Sequence, residues 1–368
     1  MPACNVEKYI RECMDSVVGQ TLQDIEIIVV NDGSSDSTPA ILDEYAAADP
    51  RVQVVHKVNT GYGHSMNVAL SKATGEYIGI VETDDFIDAS MFETMYAAAK
   101  EHDADVVKTN YSEYYSNYPE KCKLVRNVDR VGVLNEPVSP QDHPQIFEMY
   151  PSIWSGIYRH DLLEKNGIRF TETPGASYQD TGFAFKVWAS AERVVLLEDA
   201  FLHYRKDNES SSINNPGKVF CVCDEIAAIE EFLGKDPAKQ AKFEDIKNVR
   251  MFRIYNWNLG RLGLEYKYAF LNRMAETLRS LRDSGKIRED MFTDKEWAQI
   301  SAIIKDHQKY FREILSKELK GKSSVREVLE ENAELRKKLK SIRNSGSYKI
   351  GRKITSVPRA IRKTFSRG

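Results

Sequence analysis

Residues 77–87 read YIGIVETDDFI: an apolar, partly β-branched run that stops at Glu82, Thr83, Asp84 and Asp85, then turns apolar again. The run predicts a buried strand over 77–82, and a strand driven into three carboxylates needs a reason. Upstream, 25–30 (IEIIVV) is another β-branched run, closed by the turn-rich NDGSSDS, and 52–57 (VQVVHK) is a third strand. Helices are predicted between them. One covers 5–20, where Val6, Tyr9, Ile10, Cys13 and Val17 fall at helical spacing. A second opens at Thr38-Pro39, an N-cap followed by proline at the first helical position, and runs to about Ala47. Others cover 65–73 and Asp88 to about His102, the latter ahead of the strand ADVVKT at 104–109. Strands alternating with helices predict an α/β fold whose parallel sheet is covered on both faces.

Ligands of an open parallel sheet bind outside the carboxyl ends of its strands. Asp32 follows one strand and Glu82-x-Asp84 follows another, so both acidic groups belong to one rim. Carboxylates gathered there repel one another unless a cation sits among them. Mg2+ or Mn2+ is the hard cation that one or two carboxylates and substrate phosphates hold together, and it would neutralise a departing diphosphate. Taken singly, a D-x-D triplet arises by chance and NDGS is an ordinary Asx turn. Their joint placement after predicted strands carries the reading.

The bulk numbers exclude other classes. The 368 residues are 42% apolar and 29% charged, a soluble globular composition with ample core. No apolar run approaches the roughly 18–20 residues of a membrane span, and no signal peptide opens the chain. Cys4, Cys13, Cys122, Cys221 and Cys223 form no C-x-x-C pair, which fits a reducing cytoplasm. Net charge is −3; seven Lys/Arg and no Asp/Glu in 344–368 leave −10 on 1–343. An acidic body argues against nucleic acid, while the tail, with Ile350, Ile354, Val357, Ile361 and Phe365 among its basic residues, suits an anionic membrane surface. A solvated basic end is the equal alternative.

Beyond about residue 206 the β signal fades and 218–320 reads as helical, with Thr293 and Glu296 spaced as a capping box. Tyr255, Trp257, Tyr266, Tyr268 and Phe270 read as helix-packing core. Val325, Val328, Asn332, Leu335, Leu339 and Ile342 fit a heptad whose Asn would set the register of a parallel homodimer; an ordinary amphipathic helix fits as well.

NVEKYIRECMDSVVGQTLQDIEIIVVNDGSSDST followed by ATGEYIGIVETDDFID resembles glycosyltransferase family 2, the inverting nucleotide-sugar enzymes of GT-A fold. The likeness continues through WSGIYRHDLLEKNGIRF, SYQDTGFAFKVW and LHYRKDNESSS, covering roughly residues 2–213, and SYKIGRKIT resembles the C-termini of bacterial surface-polysaccharide glycosyltransferases. The resemblance implies a GT-A domain over 1–213, a helical region over 214–320, a short heptad helix over 321–343 and a basic tail over 344–368. It implies transfer of a sugar from a nucleoside-diphosphate sugar, with uracil the expected base, to a saccharide or lipid-linked acceptor at the inner membrane face. Asp32 would accept a hydrogen bond from the base. Pro2, Ala3, Asn5 and Glu7 would lie along the nucleoside, with Gly61 and Thr83 also on the donor side. Asp84 would be the main metal ligand, with Glu82 on the ribose or the metal shell. Asp180 would be the catalytic base, with Gln179 beside it. Trp154 would line the acceptor side, and His203 and Arg205 would lie near the diphosphate or acceptor. An inverting transfer needs one base on the acceptor face and one electrostatic clamp on the other, and Asp180 and the metal divide those roles.

Four departures stand against the family pattern. Its first strand is absent ahead of Met1-Pro2-Ala3-Cys4-Asn5, with Cys4 for the usual tyrosine, so a gap is expected at the sheet's centre and a true start upstream. Ser65-Met66-Asn67 replaces the usual Ala-Arg-Asn, which leaves the donor open; Tyr62 or His64 is the candidate replacement for that arginine. Glu82 stands for the commoner aspartate, and Gln179 for a glutamate. Two rival functions follow: a catalytically impaired relative acting as an assembly or binding protein at the membrane, and a nucleotidyltransferase on a related sheet. The retained Asp32, Glu82-x-Asp84 and Asp180 oppose the first. The lack of a visible Gly-rich, basic loop after a first strand opposes the second.

Overall fold

The β-branched run at 25–30 becomes the buried middle of a parallel sheet. In the computed structural model, which describes residues 1–176, 178–208 and 218–319 with Glu334, Lys337, Lys338 and Ser341, the chain divides into two units, Met1–Tyr255 and Asn256–Gly368. In the first unit β1 (Pro2–Ala3), β2 (Ile27–Asp32) and β3 (Val52–Lys57) form a parallel sheet in the order β1-β2-β3. All six β2 residues are buried, as expected for a strand with neighbours on both faces. α1 (Ile10–Val18) buries the stripe Ile10, Cys13, Met14 and Val17, the helical spacing seen in the sequence. α2 (Thr38–Ala48) starts at its expected cap, one residue early: Ser37 is the N-cap, and the Thr38 amide donates to Asp36 Oδ1 at 3.0 Å. α3 (Tyr62–Lys72) follows β3.

The second sheet contains β4 (Tyr77–Gly79), β5 (Phe86–Ile87), β6 (Val106–Tyr114), β7 (Lys123–Val125), β8 (Pro137–Val138), β9 (Gly156–Arg159) and β10 (Val194–Arg205), with α4 (Met91–Glu101) after β5. Its order is β4-β9-β6-β10-β5, with β7 on β6 and β8 on β10. This sheet is mixed, which corrects the expectation of parallel pairing throughout. β6 and β10 run parallel, whereas β9 is antiparallel to both β4 and β6, and β5 is antiparallel to β10. The connection from β6 to β9 contains no α-helix, and antiparallel neighbours need no helical crossover.

The strand expected over 77–82 is paired only over Tyr77–Gly79, on β9. On its other side no strand stands between β4 and β2 except the two residues of β1, which pair with β2 alone, so the two sheets are hydrogen-bonded separately. α5 (His160–Lys165), α6 (Gln179–Trp188), α7 (Cys221–Gly234) and α8 (Pro237–Arg261) complete this part, the division between units falling within α8.

In the second unit α9 (Leu264–Asp283) packs Phe270, Leu271, Met274 and Leu278 with Ile300 and Ile303 of α10 (Asp294–Leu319). The capping box is present: Thr293 Oγ1 accepts from the Glu296 amide at 3.3 Å, and Glu296 Oε2 accepts from the Thr293 amide at 3.0 Å. The aromatic patch is only partly core. Tyr255 and Phe270 are buried, but Trp257 is 46% and Tyr268 38% exposed. All five cysteines are free thiols. Among the described residues no helix is long and apolar enough to cross a membrane. The heptad over 325–342 and the tail over 344–368 lie outside the described residues, apart from the four isolated positions named above.

Candidate active site

The rim at the end of β2 is organised by Asp32. Parallel pairing places Asp32 opposite Lys57 of β3, and the Lys57 ammonium sits on Asp32 Oδ1. The Thr60 amide donates to Oδ1 at 2.8 Å and the Gly61 amide to Oδ2 at 2.9 Å. Burial works against the charge, yet Lys57 and the two amides hold Asp32 below the usual carboxylate range. Gly61 has φ 97°, and a Cβ there would meet the Gly175 amide nitrogen at 2.8 Å, so the turn needs glycine.

Around this point lie the other donor-side candidates. Asn5, at φ 53°, accepts the Ser35 amide on its Oδ1 at 2.8 Å, and Glu7 Oε2 accepts the Ser37 amide at 2.9 Å. These bonds fix the first residues against the turn after β2. Pro2 and Ala3 are buried in β1, and the Pro2 carbonyl accepts from Thr83 Oγ1 at 2.7 Å, tying β1 to the acidic segment. Cys4 is exposed, its Sγ 3.5 Å from the Asp32 carbonyl.

The acidic segment itself carries more charge than its protein neighbours balance. Burial pushes Glu82 up to about 7; the Tyr62 hydroxyl, donating to Oε1 at 2.6 Å, opposes that rise, and Asp84 adds to it. Asp84 Oδ2 accepts from Asn208 Nδ2 at 2.8 Å. Asp85 is buried and pushed well up by burial and then by Asp84; its Oδ1 accepts the Arg205 amide at 2.8 Å, and its Oδ2 has no hydrogen-bond partner. Arg205, 5% exposed, is committed to structure: Nε donates to the Asp84 carbonyl at 2.8 Å, and its other nitrogens reach Ser116 and Glu12. The rings of Tyr9 and Tyr114 lie 4.9 and 5.0 Å from its guanidinium carbon.

Asp180 stands in the first turn of α6, whose N-cap is Tyr178 at φ 67°, so Asp180 is not itself the cap. Burial raises it to about 6, against the Thr181 amide that donates to its Oδ1 at 2.8 Å. Its charge acts on Glu82, Tyr62, Tyr150 and Tyr204, so it lies near the acidic segment. Gln179 is buried beside it, donating to Thr173 Oγ1 at 3.0 Å and the Gly175 carbonyl at 3.1 Å.

The remaining candidates are engaged elsewhere. Trp154 is buried, stacked on Tyr204 at 5.0 Å and edge-on to Tyr111 at 4.7 Å, so it backs the cleft wall. His203 stacks on Phe86 and bonds Asp88 through Nε2 at 2.9 Å. His64 Nδ1 is buried without a partner, and Tyr62 is spent on Glu82. The sequence reading overlooked Lys57, Tyr150 and Asn208, and named Asp85 only among the three carboxylates that end the strand. Lys57 was accessible in principle: the predicted strand 52–57 ends on this lysine and Asp32 follows the predicted strand 25–30 by two residues, so adjacent parallel strands bring an acid and a base to one rim.

Among the described residues no group of three or more His, Cys, Asp or Glu side chains forms a ready-made metal site. Two observations nonetheless fit a hard divalent cation: Asp85 Oδ2 has no hydrogen-bond partner, and the charge of Asp84 adds to the rise of both Glu82 and Asp85, so a positive charge beside them would be favoured.

Comparison with known proteins agrees with this architecture. The Glycosyl transferase family 2 model matches residues 1–142. Glycosyltransferase GlyG of Streptococcus pneumoniae serotype 4 is 44% identical over 220 residues, 57% of this chain and 70% of GlyG. The uncharacterized glycosyltransferase EpsJ of Bacillus subtilis (strain 168) is 32% identical over 214 residues, 57% of this chain and 61% of EpsJ. The chain thus spans about three fifths of the length of EpsJ and of EpsH from the same organism. Among solved structures, Staphylococcus aureus TarS 1–349 in complex with UDP-GlcNAc superposes with a TM-score of 0.61 at 24% identity, covering 79% of this chain and 81% of that one. That likeness fixes the fold as GT-A-like α/β followed by helices.

Proposed function

The chain belongs to glycosyltransferase family 2, and we propose that it transfers a sugar from a UDP-sugar to a hydroxyl of a saccharide or lipid-linked acceptor in bacterial surface-polysaccharide synthesis. One observation supports the reading: Asp180, Glu82, Asp84 and Asp85 all act electrostatically on Tyr204, so the proposed base and the acidic segment lie near one residue. The UDP-GlcNAc bound by TarS supports the choice of donor class.

In this reading Asp32 and the turn at Thr60–Gly61 receive the base, and Asn5 and Glu7 line the nucleoside. Asp84 and Glu82 would hold Mn2+ or Mg2+, which when bound would balance the negative charge of the diphosphate leaving group. Asp180, ionised above about pH 6, takes the proton of the acceptor hydroxyl as its oxygen bonds to the anomeric carbon and the bond to the diphosphate breaks. Configuration inverts, and the nucleoside diphosphate leaves without needing an acid. Tyr150, 41% exposed and within reach of the Asp180 charge, offers the acceptor a ring face. The basic tail suits a peripheral position on the inner membrane face, and the heptad suits a homodimer.

The test is release of nucleoside diphosphate from a panel of UDP-, GDP- and dTDP-sugars with Mn2+, Mg2+ or EDTA present, using polysaccharide-precursor acceptors. Cation-dependent turnover with a UDP-sugar, lost in Asp180→Asn but with UDP binding kept, is expected. Binding of no nucleotide by the folded chain would overturn the reading.

A further inference from the structure

Glu225 of α7 is a carboxyl that the proposed reaction leaves unused, and it is enclosed at 1% exposure. Thr171 Oγ1 donates to its Oε2 at 3.2 Å, while its Oε1 is buried with no hydrogen-bond partner. The same Oε2 lies against the backbone of α6 at Gly182, where a Cβ would come within 2.2 Å of it. Gly182 closes the first turn of α6, two residues after Asp180. Glycine there is what lets the carboxyl approach the turn.

Thr171 belongs to a segment, 170–175, that is tied to α3. The Phe170 amide donates to Asn67 Oδ1 at 2.9 Å, Asn67 Nδ2 to the Phe170 carbonyl at 3.0 Å, and the Tyr62 amide to the Gly175 carbonyl at 3.3 Å. Glu225 thus sits where three pieces meet: α7, the turn that carries Asp180, and a segment braced on the donor-side helix. Burial pushes its pKa up to about 8; Lys186 of α6 and the Thr171 hydroxyl oppose that rise, and Asp180 of α6 and Asp224 of α7 add to it. Lys186 is a weak counter-charge, because its Nζ donates to the Arg169 carbonyl at 3.0 Å and burial lowers its own pKa. At pH 7 the Glu225 carboxyl is therefore mostly neutral.

We propose that Glu225 is a positioning residue for Asp180, a neutral acid wedged between Gly182 and Thr171 that fixes the first turn of α6 against the segment 170–175. Resting on the assignment of Asp180 as the base, this role supplies what aims it. Loss of the Glu225 proton leaves an anion in an enclosed place near the ionised Asp180, and the packing that holds the turn gives way. The folded protein keeps this proton to higher pH than the unfolded chain does, so the stability it contributes is complete below the ordinary value of 4.5 and lost as pH rises through about 8.

The experiment compares the full chain with Glu225→Gln, Glu225→Ala and Asp180→Asn. UDP release from UDP-GlcNAc and other UDP-sugars with Mn2+ is followed from pH 6 to 10, and amide hydrogen exchange is followed on the protein alone. In the parent, kcat/KM is expected to fall above about pH 8, and exchange protection at Thr181 and Gly182 to drop roughly tenfold between pH 7 and 9. Glu225→Ala should lose about 10–100-fold in kcat at pH 7 with donor KM little changed. Glu225→Gln, which keeps the shape of the neutral acid, should recover most of that rate and lose both the basic limb and the fall in protection. The same basic limb in parent and Glu225→Gln, parent protection equal at pH 7 and 9, or a folded Ala variant with parental kcat would overturn the positioning role. Full turnover by Asp180→Asn would overturn the base assignment and this role with it, a failure seen in the aspartate variant rather than in the glutamate ones.

Discussion

The hydroxyl of Tyr62, in the first turn of α3, donates a 2.6 Å hydrogen bond to Glu82 Oε1 at the end of the acidic strand segment. Burial pushes Glu82 up to about 7, and the bond opposes a further rise. The loop that lacks the family's arginine is thereby joined to the proposed cation site through a phenol.

Replacing that phenol with Phe removes the bond and leaves Glu82 to burial and Asp84. Its pKa then rises, and a cation must displace a more tightly held proton. Tyr62→Phe is expected to weaken apparent Mn2+ affinity at pH 7 by roughly 5–30-fold, the equivalent of about 1–2 kcal/mol for a bond to a charged group. The effect should shrink at pH 8.5, where Glu82 is ionised in both proteins. Isothermal titration with Mn2+ and UDP at the two pH values decides this, and equal affinities at pH 7 would contradict it.

Lys57 faces Asp32 across the β2–β3 ladder with both side chains largely enclosed. Removing one member of such a pair leaves the other charge uncompensated, a loss of about 3–5 kcal/mol in buried cases. Lys57→Met should lower the melting temperature and raise the Asp32 pKa, so that UDP affinity falls most steeply below pH 5. Lys57→Arg should recover much of both. A Met variant with unchanged melting and unchanged UDP binding would show that the pair organises nothing.

The elements were legible wherever residue pattern alone decides them. IEIIVV and VQVVHK became β2 and β3, and Thr293 with Glu296 became a true capping box. Legibility failed where the outcome depends on a distant partner. The run at 77–82 has strand character throughout, yet only Tyr77–Gly79 is paired, because strand identity requires a neighbour and residues 80–82 have none. The antiparallel run of β9 is invisible in GIYR, since direction is set by the connection. For the site, Asp32, Glu82, Asp84 and Asp180 could be picked as residues, whereas the commitment of Arg205 to Glu12, Ser116 and the Asp84 carbonyl could not. That commitment joins residues far apart in sequence, which no local pattern encodes.

Asp180 sets an acid limb for the proposed reaction. With its carboxyl near 6, only the ionised fraction can accept a proton, so kcat/KM should climb with pH through about 6 and level off above pH 7. Asp180→Asn should lose roughly 10²–10⁴-fold in kcat and abolish that limb, with UDP affinity unchanged. The same raised pKa gives a stability effect of known sign. The folded protein keeps this proton to higher pH than the unfolded chain does, so the contribution is complete below pH 4 and lost as pH rises through about 6. A parent profile flat from pH 5 to 8 would remove Asp180 as the base.

Lys108 tests whether a buried charge is being carried for the sake of the cleft wall. It lies on β6 at 1% exposure, and its Nζ donates to the Ser152 carbonyl at 2.5 Å and to Ser155 Oγ at 3.1 Å, bracing the turn that carries Trp154. Burial alone lowers its pKa to about 7. Between pH 7 and 10 the unfolded chain therefore holds a proton here that the folded protein has released, so unfolding free energy should rise with pH by on the order of 1 kcal/mol per unit. The gain is complete above the unfolded value near 10.5 and gone once pH falls through about 7. Lys108→Met removes the titration but also strands the Ser152 carbonyl, so it is expected to be less stable at pH 9 while losing most of that slope. Urea unfolding of both proteins at pH 7, 8 and 9 gives the slopes directly. Parallel lines would mean that Lys108 keeps its proton when folded, held by polar neighbours strongly enough to outweigh its burial.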